Sequence, residues 1–100
     1  MRVTSIKPLR DFWQVHPDSE MPLRNWYKRA DLAAWQSIID TRKDFASADT
    51  VGMLTVFNVA GNKYRLIVRI FYPSLRMYAR RVLTHAEYDR GDWQHDPFNA

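Results

Sequence analysis

The chain has 100 residues, 46% of them apolar and 14% aromatic, with no cysteine and a formal net charge of +4. A chain of this size supports one core; its apolar content excludes a disordered polymer, and the lack of cysteine excludes a disulfide framework or a thiolate metal site. No uncharged apolar run is long enough to span a bilayer and no segment resembles a signal peptide, so the expectation is one cytoplasmic domain over residues 1–100, with no membrane contact.

In chain order, the first predicted element is a helix in "SIKPLRDFWQVHP". Leu9, Phe12, Trp13 and His16 recur at helical spacing and form one face. Ser5 is the predicted N-cap, Pro8 fits the first turn and Pro17 ends the helix. His16, on the apolar edge, is read as a packing or capping residue. A second helix is predicted in "PLRNWYKRADLAAWQSI", starting at Pro22, with Leu23, Trp26, Tyr27, Ala30 and Ala34 on its apolar stripe. Its large aromatics are assigned to core packing. "IIDTRKDFASADTVG" has no clear period and reads as a connection, with room for a helical turn or a short strand.

After Gly52 the pattern becomes extended. "MLTVFNV" is β-branched and aromatic, "AGNK" supplies a hairpin turn, and "YRLIVRIFY" alternates. Tyr64, Leu66, Val68 and Ile70 should face the core. Arg65, Ile67, Arg69 and Phe71 should line the other face, read as a partly exposed groove. "PSLR" makes a turn and "MYARRVL" a third strand. The fold class is therefore α+β: two N-terminal helices packed on a small antiparallel sheet, then a short C-terminal helix. The tail, about 91–100, is expected to be irregular.

Charge is unevenly placed. From Thr50 to Ala86 there is no Asp or Glu, whereas Lys63, Arg65, Arg69, Arg76, Arg80 and Arg81 fall in that stretch. Such a segment suits a polyanion, because Lys and Arg displace counterions from phosphates; a solvated basic face is the alternative. "VLTHAEYDR" follows. Thr84 and Glu87 have the form of a capping box, which would start a helix at His85 closed by Gly91. His85 and Tyr88 would then be neighbours on one face, three residues apart. A neutral imidazole placed there is suited to general-base work. Glu87 is already employed by the cap. A metal reading of His85, Glu87 and Asp89 has little support, since alternate residues do not converge on a helix.

"FNVAGNKYRLIV" followed by "RRVLTHAEYD" resembles the HigB toxins, a branch of the RelE-like bacterial toxin superfamily. The residues that carry the resemblance are Phe57, Asn58, Val59, Gly61, Asn62, Arg65, Arg80, Val82, Thr84, His85, Glu87, Tyr88 and Asp89. The N-terminal helices match in order and length but only loosely in sequence, and the tail after Arg90 has no counterpart. The resemblance implies an endoribonuclease that cleaves messenger RNA on the translating ribosome and is held inactive by a cognate helix-turn-helix (HigA-like) antitoxin.

RNA carries its own nucleophile, the 2′-hydroxyl. Cleavage without a metal or a small-molecule cofactor needs a base, cations on the phosphate oxygens and an acid for the 5′-oxygen. Arg65 and Arg80 are the candidates for phosphate, His85 for base or acid, and Tyr88 for orientation, proton donation or stacking. Lys63, Arg69, Arg76, Arg81 and Asn58 are candidate RNA contacts. Phe57 and Val59 are assigned to the core, Gly61 and Asn62 to the turn, and Asp89 to an ion pair with a neighbouring arginine. Two other functions fit the same residues: a non-catalytic RNA- or ribosome-binding module, and an antitoxin-binding domain without nuclease activity.

Overall fold

The computed structural model describes residues 1–100. The helix α1 spans Lys7–Val15 and buries Leu9 and Trp13, with Phe12 and His16 half-buried beside them. The predicted Ser5 cap is not formed. Ser5 has a left-handed φ of 67°, Ile6 takes the cap position, and no side chain caps the helix. After a 3₁₀ turn at Pro17–Ser19, α2 runs over Glu20–Leu32 and buries Leu23, Trp26 and Ala30. It starts two residues before Pro22, held by an Arg24–Glu20 pair in its first turn. It ends early because Ala33 is extended (ψ 158°), which leaves Ala34 exposed and brings Trp35 into the core from a loop. The aperiodic connection holds both a helix, α3 (Ile38–Asp44), and a strand, Asp49–Val51.

The sheet has five strands: β1 (Arg2–Thr4), β2 (Asp49–Val51), β3 (Leu54–Val59), β4 (Tyr64–Phe71) and β5 (Arg76–Thr84), in spatial order β1-β5-β4-β3-β2. It is mixed rather than purely antiparallel. The unpredicted β1 lies parallel to β5, pairing Arg2 with Arg76 and Thr4 with Tyr78. A three-residue strand carries too little alternation to be read from sequence.

The expected alternation along β4 is realised, and it divides the molecule. Tyr64, Leu66, Val68 and Ile70 join the helices in a core of 17 buried residues. On the opposite face Ile67 joins Leu54, Val56, Leu83 and Trp93 in a second core of five. The predicted groove is therefore filled at its centre. The tail that fills it is ordered as two 3₁₀ turns, Asp92–His95 and Pro97–Asn99, rather than irregular. Trp93 is 2% exposed, and its indole N–H donates to the Tyr88 carbonyl at 2.9 Å. The Asn99 side-chain oxygen accepts from the Met53 N–H at 2.7 Å, anchoring the tail across the β2–β3 turn.

Opposite β4, β5 carries a β-bulge. Ile67 pairs with Arg81 but Val68 pairs with Ala79, so Arg80 is the extra residue. The bulge breaks strict alternation and lets Met77, Ala79 and Val82 all reach the helix-side core. The short helix α4 (His85–Arg90) follows directly from β5.

Candidate active site

Two local features place His85 beside Arg65. The first is the turn between β3 and β4, where Ala60, Gly61 and Asn62 take successive positive φ values of 53°, 58° and 78°. Left-handed backbone is costly for alanine and tolerated by glycine and asparagine. The Asn58 amide bonds the Asn62 side-chain oxygen at 2.7 Å and holds the turn. The second is the capping box that starts α4. The Glu87 N–H donates to the Thr84 hydroxyl at 3.3 Å, and the Thr84 N–H donates to the Glu87 carboxylate at 3.0 Å. The Thr84 N–H, with its neighbouring hydroxyl, holds the Glu87 carboxyl below its ordinary range against a partial opposing effect of burial. Gly91, at φ 78°, closes the helix.

The two features meet at the Asn62 carbonyl. It accepts from Arg65 Nη1 at 2.8 Å and from His85 Nε2 at 2.7 Å. The two nitrogens therefore lie closer together than the sum of those distances, a gap that one phosphate group can bridge. Because a carbonyl only accepts, Nε2 carries the proton in this contact, and Nδ1 is the imidazole nitrogen left to accept or return one. His85 is exposed and Arg65 half-buried. The Arg65 guanidinium also stands 5.5 Å from the Tyr88 ring centroid, and Tyr88 stacks on Trp93 at 5.0 Å with 13° between planes. Asn58 lies opposite Arg65 in the strand register. His85, Arg65, Tyr88 and Asn58 thus share one end of the outer face.

Arg80 is on the same face but apart from them. Leu83 is the partner of Arg65 on β5, and Arg80 is three residues further along, about 10 Å at the usual strand rise. Its Nε donates to both oxygens of Asp96 at 3.1 and 3.2 Å, and its guanidinium covers the Phe98 ring at 3.9 Å. The expectation that Arg65 and Arg80 hold one phosphate between them does not describe this arrangement.

The other predicted contacts are dispersed. Lys63 turns toward the helices and pairs with Asp18, which also accepts from the Tyr64 hydroxyl at 2.9 Å. That ammonium and hydroxyl hold the Asp18 carboxyl below its ordinary range. Arg69 bonds the Ile70 carbonyl at 3.1 Å and stacks on Phe71 at 4.3 Å. Arg76 lines a pocket with Phe71, Tyr78 and Phe98. Arg81 is exposed beside α1, in a cleft shared with His16 and Glu87. Asp89 makes no ion pair, contrary to expectation. No three His, Asp or Glu side chains converge to hold a metal.

Sequence reasoning missed the Asn62 carbonyl, which as a backbone group leaves no signature beyond the turn itself. It also missed Asp96 and Phe98. Two aromatics, Trp93 and Phe98, in an otherwise polar tail were the available signal of a docked segment.

Helices over one face of a small mixed sheet, with arginines and an imidazole on the other, make the plan of a RelE-like toxin. Residues 19–91 match the family described as HigB toxin, the RelE-like toxic component of a toxin–antitoxin system. The chain is 50% identical over 92 residues to the mRNA interferase toxin HigB of Escherichia coli K12, covering 89% of this chain and 88% of that one. The mRNA interferase HigB of Shigella flexneri matches to the same extent. The mRNA interferase HigB of Escherichia coli O6:H1 is 24% identical over 93 residues, 90% of each chain. The chain belongs to the HigB toxin family.

Proposed function

We propose that the protein is an mRNA interferase: a metal-independent endoribonuclease that cuts messages on the translating ribosome and is restrained by a helix-turn-helix antitoxin. The family membership supports the class of activity. The observation that carries the chemistry is the convergence of Arg65 and His85 on the Asn62 carbonyl. Arg65 gives up that oxygen when a phosphodiester enters, while the Nε2–H of His85 stays on it and keeps Nδ1 as the nitrogen facing the reaction. Arg65 then binds non-bridging oxygens through its planar fork and offsets the charge that builds on the phosphorane.

His85 acts through Nδ1. It takes the proton of the 2′-hydroxyl as the 2′-oxygen bonds phosphorus, or it protonates the 5′-oxygen as the P–O5′ bond breaks. The products are a 2′,3′-cyclic phosphate and a 5′-hydroxyl. Tyr88, braced by Trp93, orients the phosphate or serves as the second proton carrier. Arg80 contributes at a neighbouring phosphate rather than at the scissile one.

The test is His85→Ala, read by primer-extension mapping of cuts in a translated message with and without ribosomes. Cleavage should fall by ~10²–10⁴-fold, as expected for loss of a general acid–base group. Antitoxin binding should be unchanged. Undiminished cleavage by well-expressed mutant protein would remove His85 from the mechanism. Equal cutting of naked and translated message would remove the ribosome.

A further inference from the structure

The outer face carries a second arrangement at the end away from His85. Phe71 on β4, Tyr78 on β5 and Phe98 in the tail form a ladder of edge-to-face rings, with centroids 5.8 and 5.5 Å apart. Guanidinium groups flank it: Arg69 over Phe71 at 4.3 Å and Arg80 over Phe98 at 3.9 Å. Between the rings is an open pocket of about 360 Å³, lined by Phe71, Ser74, Arg76, Tyr78 and Phe98. No carboxylate lines it. The neighbouring acid, Asp96, is taken up by Arg80. Phe71 is 37% exposed, a large ring left at the surface beside Arg69, which stacks on it, and Arg76, its partner on β5.

We infer that this pocket is a base-stacking subsite, which takes one unpaired nucleobase of the same RNA strand whose phosphate is held at Arg65 and His85. The inference rests on the nuclease reading and extends it to substrate grip. Aromatic rings flanked by arginines are the platform that single-stranded nucleic acid uses, because every base offers a π-face and every linkage a negative charge. Continuity favours RNA over a protein ligand. The pocket and the candidate site lie on one face, along the same two strands, on either side of the small core centred on Ile67 and Trp93, with Arg69 and Arg80 beside the pocket. Leu83, opposite Arg65, is five residues from Tyr78, about 15 Å along the strand. The stacked base is therefore several nucleotides from the scissile bond.

The test uses the full chain and a labelled single-stranded oligoribonucleotide with every 2′-oxygen methylated, with binding read by fluorescence anisotropy. Methylation removes the nucleophile, so binding is measured whether or not the protein is a nuclease. Phe71→Ala should weaken binding by ~5- to 100-fold, the loss expected when a base loses its stacking partner. Phe71→Tyr should restore it, which separates stacking from a folding defect. In oligonucleotides with one abasic position each, a single position should reproduce that loss in the wild type and cause no further loss in Phe71→Ala. Arg76→Ala should weaken binding and reduce its salt slope by about one.

The inference is overturned if the wild type does not bind, if Phe71→Ala binds normally, or if the two losses multiply at every abasic position. It is overturned too if Phe71→Ala spares the oligonucleotide but weakens the antitoxin complex, since the pocket would then be a protein-docking site. Failure of the His85→Ala test would leave these binding results standing, so the two readings fail separately.

Discussion

The two faces of the sheet are closed by different means. The inner face is covered by three helices, and its aromatics interlock: Trp26, Trp35 and Phe45 surround Phe57 at centroid distances of 5.4, 6.3 and 5.3 Å. The outer face is covered only by α4 and the tail, and five residues are buried there. Arg65, Arg69 and Arg80 rim that small core instead of being excluded by it. The contrast shows how a short chain divides its one sheet. Apolar cover that removes water stabilises the fold, whereas a phosphate-binding surface must stay open to solvent and cannot bury its cations unpaired. The inner face does the first task, and the second is the one we propose for the outer face.

The contrast can be tested by weakening each side in turn. Trp26→Ala, deep in the inner core, should cost ~3–5 kcal/mol in urea unfolding, because the helices cannot collapse onto the void. Trp93→Ala removes the centre of the outer core and should cost about 3 kcal/mol, near the low end of that range, since the tail can settle. Equal losses from the two, with the same effect on RNA binding, would erase the distinction between the faces. A selective loss of RNA binding in Trp93→Ala would sharpen it, because Trp93 braces Tyr88 and anchors the segment bearing Asp96 and Phe98.

Asp96→Asn should have a smaller effect, about 1–3 kcal/mol, from leaving the half-buried Arg80 without its ionic partner; unchanged stability would mean that the tail is held by packing alone. Thr84→Ala should cost about 1 kcal/mol through loss of the α4 cap, and should reduce cleavage by shifting His85. The mildest perturbation is protonation of Glu87. Its folded-state value is depressed, so its stabilising contribution is complete above its ordinary value of 4.5 and is lost as pH falls through the lower folded value. Glu87→Gln should therefore flatten the acid limb of a stability-versus-pH curve and leave the neutral region little changed in shape. An unaltered acid limb would show that the capping box adds nothing measurable.

Much of this organisation is legible in the sequence, and the exceptions have physical causes. The alternation from Tyr64 to Phe71, the Gly61–Asn62 turn and the Thr84–Glu87 cap are local patterns, and each produces the expected element. The cap is what places His85 against the turn that leads into β4 and Arg65. What escapes is set by distant partners. The strand at Arg2–Thr4 exists because the start of β5 offers it an edge. The early end of α2 follows from Trp35 donating to Asp44 at 2.8 Å and settling among Phe45 and Phe57. The bulge at Arg80 left a trace, the adjacent Arg80–Arg81 pair in a strand that should alternate. Its consequence, an arginine turned toward Asp96, depends on a tail that local pattern had marked as irregular.

The parallel pairing of β1 with β5 joins two segments far apart in the chain, Arg2–Thr4 and Arg76–Tyr78. Strand β1 cannot be seated until residues 76–78 have been translated, and His85 and Trp93 follow later still. Closing the sheet is therefore a late, long-range event, and pairing across so wide a sequence separation is intrinsically slow.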